Sequence, residues 1–195
     1  FRSPAIRELY VFPPRNDKLE PERLWNYEIG VSQQIGRQLK VEGILFRSKG
    51  DNMIQLIAPP PNFVNTGEFE HTGYEVIVDW MPLERLDVNM SWSKLDLGEE
   101  TMHTPGKKLT GYAAYDFGLF QLTAQVLHIR DLYGANKHQK MMDNYTVINL
   151  IGNIQPFRFI GFQLGIKNLL DSDYQAFYGY PMPGRMMSFN VLYSF

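Results

Sequence analysis

Apolar and polar residues alternate along most of this chain with a period of two. Side chains two apart share one face of a strand, so strict alternation predicts half-buried β-strands. The end of the chain carries the cleanest example. Ile160, Phe162, Leu164 and Ile166 fall on one face, with Gly161, Gln163, Gly165 and Lys167 between them. Met187, Phe189, Val191, Tyr193 and Phe195 then alternate with Met186, Ser188, Asn190, Leu192 and Ser194. An aromatic residue thus closes a strand pattern, where soluble domains usually fray into polar residues.

Upstream, residues 1–22 carry Pro4, Pro13, Pro14 and Pro21 and read as an irregular connection. Strands are predicted at 24–32 and 39–45, around a tight turn at Gly36-Arg37. A long connection at 48–66 follows, with Gly50-Asp51-Asn52 and Pro59-Pro60-Pro61 as breakers and Met53 to Ile57 as a strand-like stretch inside it. Further strands are expected at 69–80, 86–93, 109–115, 120–126, 146–150, 160–167 and 186–195. Short turns at 82–85, 116–118 and 153–156 separate them in turn with long connections at 94–106, 130–143 and 170–185.

The result is nine strands whose connections alternate between short and long, the long ones running roughly 12–20 residues, beyond ordinary hairpin loops. A soluble sandwich has no reason to place every long loop at one end. A transmembrane barrel does, with short periplasmic turns and long extracellular loops. The pattern therefore predicts an all-β fold, an antiparallel transmembrane β-barrel. Trp80, Tyr115 and Tyr193 fall at the short-turn ends of strands, and Trp25 and Trp92 toward the long-loop ends. Aromatic girdles occupy those two levels in outer-membrane barrels.

Composition narrows the partners. No apolar run reaches the ~18–20 residues of a spanning helix, which excludes an α-helical membrane protein and leaves a barrel open. A net charge of -2 argues against nucleic acid. The absence of cysteine suits an exported chain. The chain begins at Phe1 without Met, signal peptide or charged leader, and is expected to be a piece of a longer protein. It has no Gly-x-Ser-x-Gly, no histidine with an organised acid and no glycine-rich phosphate loop, so neither an enzyme nor a cofactor is expected. His71, His103, His128 and His138 lack metal-ligand spacing. Met141-Met142 and Met186-Met187 read as adaptable packing rather than Cu(I) ligands.

Particular motifs add a resemblance. Lys167-Asn168-Leu169-Leu170-Asp171, then Tyr174, then Gly179-Tyr180-Pro181-Met182-Pro183-Gly184-Arg185 and a strand ending at Phe195 resemble the C-terminal end of a TonB-dependent outer-membrane receptor. Phe1-Arg2-Ser3-Pro4, Glu8-Leu9-Tyr10 and Leu19-Glu20-Pro21-Glu22 resemble an upstream motif of that family, and Asn65-Thr66-Gly67 with Gly73-Tyr74-Glu75 also fits.

The resemblance implies a barrel of about 22 strands around an N-terminal plug, with residues 1–195 as its C-terminal portion of about nine strands and the plug and earlier strands absent. It further implies a multi-pass protein of the bacterial outer membrane. The function would be active uptake of a scarce, bulky nutrient, a ferric siderophore, cobalamin or haem, with energy from TonB acting on the plug. Other partners would be the remaining barrel strands, outer-membrane lipid, a small metal-chelate ligand held by loops 48–66, 94–106, 130–143 and 170–185, and the barrel-assembly machinery. That machinery would read Phe189, Val191, Tyr193 and Phe195. Haem receptors of the family often carry a histidine between two upstream elements that here read Phe-Arg-Ser-Pro and Asn-Asp-Lys-Leu. No histidine lies between Phe1 and Leu19, which disfavours haem. Asn168 and Asp171 are expected to shape the strand end rather than touch ligand. The rival readings are a structural or adhesion barrel without transport, and a soluble sandwich.

Overall fold

A computed structural model describes residues 1–13, 15–57, 60–98, 103–135 and 139–193. The chain runs through a short helix α1 (Ile6–Tyr10), then β1 (Arg23–Ile35), β2 (Leu39–Ile57), β3 (Asn62–Leu83), β4 (Leu86–Asp96), β5 (Lys107–Asp116) and β6 (Phe120–Arg130). Two short strands follow, β7 (Tyr133–Ala135) and β8 (Gln139–Met141), before β9 (Tyr145–Phe157) and β10 (Ile160–Lys167). A second short pair, β11 (Gln175–Phe177) and β12 (Tyr180–Pro181), precedes β13 (Met186–Tyr193). One nine-stranded sheet has the order β1-β2-β3-β4-β5-β6-β9-β10-β13, with every pair antiparallel. The pairs β7–β8 and β11–β12 are separate hairpins within the long connections.

The alternation of the separate strands locks into phase across the whole sheet. Ile35, Leu39, Trp80, Val88, Ala113, Ala124, Leu150, Ile166 and Met187 are successive cross-strand partners, one from each strand. Every member of that row is apolar. One residue away, on the opposite face, Gln34, Lys40, Asp79, Asn89, Tyr112, Gln125 and Asn149 form an equally continuous row. Every member of that one is polar. Among the described residues nothing covers the apolar face: Leu164 is 55% exposed and its partner Phe189 64%.

The polar face satisfies itself by side-chain hydrogen bonds between strands. Asn89 Nδ2 donates to Asp79 (2.6 Å), Ser91 Oγ to Glu75 (2.6 Å) and the Tyr112 hydroxyl to Asp87 (2.9 Å). Farther round, Gln163 donates to Asn153 (2.9 Å) and Asn190 to Gln163 (3.1 Å).

The short turns expected at 36–37, 82–85 and 116–118 fall close to where the pattern places them, with Gly36 at φ +61 in the β1–β2 turn. Two expectations are corrected. The 153–156 segment is not a turn, since β9 continues to Phe157 and the chain reverses at Arg158-Phe159. The register shifts between Ile160 and Phe162, so Pro156 sits in an irregularity of the ladder where its missing N–H costs nothing. The 48–66 connection is mostly strand as well, because β2 and β3 extend as one long hairpin to Ile57 and Asn62. There Gly50-Asp51-Asn52 is a bulge rather than a loop, with Asn52 at φ 58 and register shifts on both sides of Met53.

The N-terminal segment braces that hairpin. Asn16 Nδ2 donates to the Phe63 carbonyl (2.8 Å), and Asn65 Oδ1 accepts from the Glu20 amide (2.8 Å). Beyond Asp51, β2 has outrun β1, and the Ile54 amide on that side donates to Glu22 Oε1 (2.8 Å). Glu22 is buried, and Arg2 grips it with two guanidinium nitrogens and a backbone bridge. Among the described residues no helix is long and apolar enough to cross a membrane.

With Leu164 on the apolar face and Gln163 on the polar one, Leu164→Arg is expected to cost on the order of 2–4 kcal/mol in lipid, and Gln163→Arg far less. Equilibrium unfolding of the full-length protein in lipid vesicles reads the difference.

Candidate functional site

The long connections of the second half of the chain fold back over the polar face. Two pairs of register partners at the upper end of that face are the reason. Leu127 pairs with Val147, and Ile129 with Tyr145, in rows that elsewhere carry Ser91, Ser93 and Glu75. Left open, these apolar side chains would face water. Leu132 and Met142, from the β6–β9 connection, close over Ile129 instead, leaving them 3%, 7% and 5% exposed respectively. Burial of such side chains stabilises by roughly 1.5–3 kcal/mol each.

A second connection packs on the first. The Tyr174 ring lies 4.6 Å from that of Tyr145, and Lys140 Nζ lies 4.5 Å from the centre of the Tyr178 ring. Tyr178 also presses on Gly134, where an added Cβ would meet its side chain at 2.5 Å. The ring of His103, from the β4–β5 connection, packs at a tilt against Phe177 at 5.4 Å, and its amide donates to the Tyr133 carbonyl (2.8 Å). Lys107 pairs with Asp131 at 2.9 Å. Three connections thus form one lobe over the polar face.

The base of the last connection is clasped by Asn168, only 3% exposed and at φ 50. Its side chain accepts from the Ser172 amide (3.0 Å) and donates to the carbonyls of Ser172 (2.9 Å) and Pro183 (3.3 Å). Its own amide donates to Asn149 Oδ1 (3.0 Å) on β9. Asp171, also at positive φ, accepts from the Arg185 amide at 2.6 Å. The two asparagine and aspartate side chains therefore tie the start of the connection to its end.

Within the lobe lies an open cavity of about 390 Å³, lined on one side by Met142 and Asp143 and on the other by Asp173, Tyr174, Tyr178 and Met182. Apolar and aromatic surface with a few convergent polar groups is the usual make-up of a ligand pocket.

The structure places the residues singled out from sequence as follows. The 130–143 and 170–185 connections meet at this cavity, whereas 48–66 is the braced hairpin at the far side of the sheet. Residues 99–102, within 94–106, and 136–138, within 130–143, lie outside the described residues. Trp25, Trp80, Trp92, Tyr115 and Tyr193 all stand in apolar-face rows. Trp80 and Tyr115 pair near the short turns, Tyr193 pairs with Ile160, and Trp92 pairs with Val76. Trp25 shares its row with Lys49, beyond the Arg47–Glu70 ion pair of 2.7 Å. Phe189, Val191 and Tyr193 lie on the apolar face of β13, while Phe195 is outside the described residues. Of the histidines, His128 Nδ1 bonds Thr146 Oγ1 at 2.8 Å, and His138 is not described. Among the described residues no group of three or more His, Cys, Asp or Glu is placed to hold a metal ion.

A continuous wall with one apolar and one polar face, and loops folded over the polar side, defines a segment of an outer-membrane β-barrel. Residues 1–169 match the family model described as TonB dependent receptor-like, beta-barrel, and the chain belongs to that family. It is a protein of the outer membrane.

No curated protein sequence matches it. Among solved structures it is similar to the siderophore receptor PiuA from Acinetobacter baumannii, with TM-score 0.77 and 19% identity over 89% of this chain and 28% of that one. It is also similar to the ferric-catecholate import receptor Fiu from K12 E. coli, with TM-score 0.73 and 20% identity over 92% and 29%. The copper transporter OprC matches with TM-score 0.78 and 18% identity over 100% and 35%. The chain therefore spans about a third of the length of the structures it matches, which are named as receptors and transporters rather than enzymes.

Two outcomes are expected from the clasps. Asn168→Ala leaves buried partners unsatisfied, at about 1–3 kcal/mol, and limited proteolysis is expected to open residues 173–182 while the sheet stays protected. At the N-terminal brace, hydrogen bonds from Arg2 hold the Glu22 carboxyl below its ordinary range, against the opposing effect of burial, with help from the Ile54 amide. A depressed folded pKa means the stabilisation is complete above the ordinary value near ~4.3 and is lost as pH falls through the lower folded value. Exchange at the Ile54 amide, measured relative to its intrinsic rate at each pH, is expected to stay slow from pH 7 to about 5 and to quicken in stronger acid. Glu22→Gln is expected to quicken it at neutral pH.

Proposed function

We propose that this chain is the C-terminal portion of the barrel of an outer-membrane active transporter. Its full barrel has about 22 strands around a plug, and TonB supplies energy through that plug. The cargo is a scarce, bulky metal chelate of the ferric siderophore or cobalamin kind. The observation that carries the reading is the lobe of three connections over the polar, lumen-side face, two of which line an open cavity there. A structural or adhesion barrel needs no preformed cavity on the lumen side of its loops. The receptor and transporter names of PiuA, Fiu and OprC lend support.

Haem fits less well, because His128 is engaged with Thr146 on the apolar face and His103 packs against Phe177. In this reading Trp25, Trp80, Trp92, Tyr115 and Tyr193 anchor the wall at the two lipid interfaces. Phe189, Val191 and Tyr193, with Phe195, form the strand read by the barrel-assembly machinery. The free edges of β1 and β13 pair with the remaining strands, since unpaired backbone is not tolerated in lipid.

The test uses cells producing the full-length protein and a panel of radiolabelled ferric chelates. Accumulation is expected to stop when the inner-membrane proton gradient is collapsed, while binding at the cell surface persists. Accumulation that continues undiminished without the gradient overturns the transport reading.

A further inference from the structure

The cavity in the lobe has a chemical character that the uptake reading does not specify. Its described lining residues include the carboxylates Asp143 and Asp173, the rings of Tyr174 and Tyr178, and the thioethers of Met141, Met142 and Met182, and they include no cation. Neither carboxylate has an ion-pair partner closer than 4 Å among the described residues. The Tyr178 ring already holds a cation, Lys140 Nζ at 4.5 Å, while the residue as a whole remains 48% exposed. Aromatic faces and carboxylates around an apolar pocket attract positive charge on an organic body, as in the aromatic cages that hold quaternary ammonium groups. A polyanion would meet two carboxylates, and the nearest described cation, Lys140, is already engaged on the Tyr178 ring.

The walls are also fixed before any ligand arrives. The Asn168 clasp ties both ends of the connection that supplies Asp173, Tyr174, Tyr178 and Met182. The Met182 amide donates to the Tyr174 carbonyl (2.9 Å) across that connection, and the Met142 amide donates to the Leu132 carbonyl (2.9 Å) on the opposite wall. Gln175 Oε1 accepts from the Gly179 amide (2.8 Å), shaping the β11–β12 turn that presents Tyr178. A preformed pocket loses little ordering entropy on binding.

We propose that this cavity is a preorganised binding site for an organic cation with an apolar or aromatic body, recognised through Asp143, Asp173 and the Tyr178 side chain that lines it. Resting on the uptake reading, it makes the recognised part of the cargo cationic rather than polyanionic. Its volume of about 390 Å³ admits one substituent or side arm of a bulky chelate rather than the whole.

The experiment titrates the full-length receptor in detergent with two probes of similar shape and opposite charge, benzyltrimethylammonium and benzylsulfonate, read by saturation-transfer NMR and calorimetry. Benzyltrimethylammonium is expected to bind at least tenfold more tightly than benzylsulfonate, and to weaken as salt is raised. The double variant Asp143→Asn/Asp173→Asn is expected to weaken it about tenfold, and Tyr178→Leu severalfold, with the thermal unfolding midpoint unchanged in both. Equal binding of the two probes, or an undiminished affinity in the double variant, overturns the site. The outcome separates from the transport test: a receptor that accumulates a polyanionic chelate and ignores the cation keeps the uptake reading and sinks this one. A receptor that binds the cation yet accumulates nothing does the reverse.

Discussion

Every backbone N–H and C=O that enters hydrocarbon must find its partner inside the protein, and the rest of this structure depends on that requirement. Antiparallel pairing meets it along β1 to β13, and the pairing register then decides which side chains meet lipid. Because side chains alternate with a period of exactly two, a slip by one residue in any strand would send its whole apolar set to the wrong face. The unbroken row from Ile35 to Met187 shows that no such slip occurs between neighbours. The bulges at Asp51-Asn52 and near Pro156 lie toward strand ends, where the ladder tolerates an extra residue without disturbing that row.

The same requirement explains where order is added beyond the sheet. Where β2 outruns β1, the Ile54 amide lacks a strand partner and Glu22 supplies one. Where β10 ends, the Asn168 amide continues the ladder onto the Asn149 side chain rather than onto a backbone carbonyl. Each is a polar side chain standing in for a missing strand. Leu127, Ile129 and Tyr145 do the complementary work on the lumen-side face: they draw the long connections inward and so turn loops into the walls of a cavity. Ligand-facing geometry thus follows from three misplaced hydrophobes at the top of two strands.

Much of this was legible in the residue pattern. The two faces of most of the sheet follow from alternation, because a strand buried on one side must write its faces into every second residue. Strand ends were less legible. Pro156 reads as a breaker unless the bulge that excuses it is known, and Gly50-Asp51-Asn52 reads as a loop unless the bracing residues Asn16, Glu20 and Glu22 are seen to sit against it. The inward fold of the loops left one trace, the run Val126-Leu127-His128-Ile129, where alternation fails and both faces need cover. The Asn168 clasp is half visible: its position predicts a strand end, but Pro183 and Ser172, its partners, are chosen by tertiary structure. Cavities assembled from separate connections carry no local signature at all.

The central claim is that the two faces keep one phase across the sheet, lipid on one side and lumen on the other. Because the chain has no cysteine, single cysteines can be placed at each position of β5 and β10 without background. Spin labels at these sites, in the full-length protein in bilayers, report exposure to oxygen, which concentrates in lipid, and to a water-soluble nickel chelate. The account predicts oxygen maxima at 109, 111, 113 and 115 on β5 and at 160, 162, 164 and 166 on β10, with nickel access at the residues between. Maxima in opposite phase on the two strands, or no period of two on either, would contradict it.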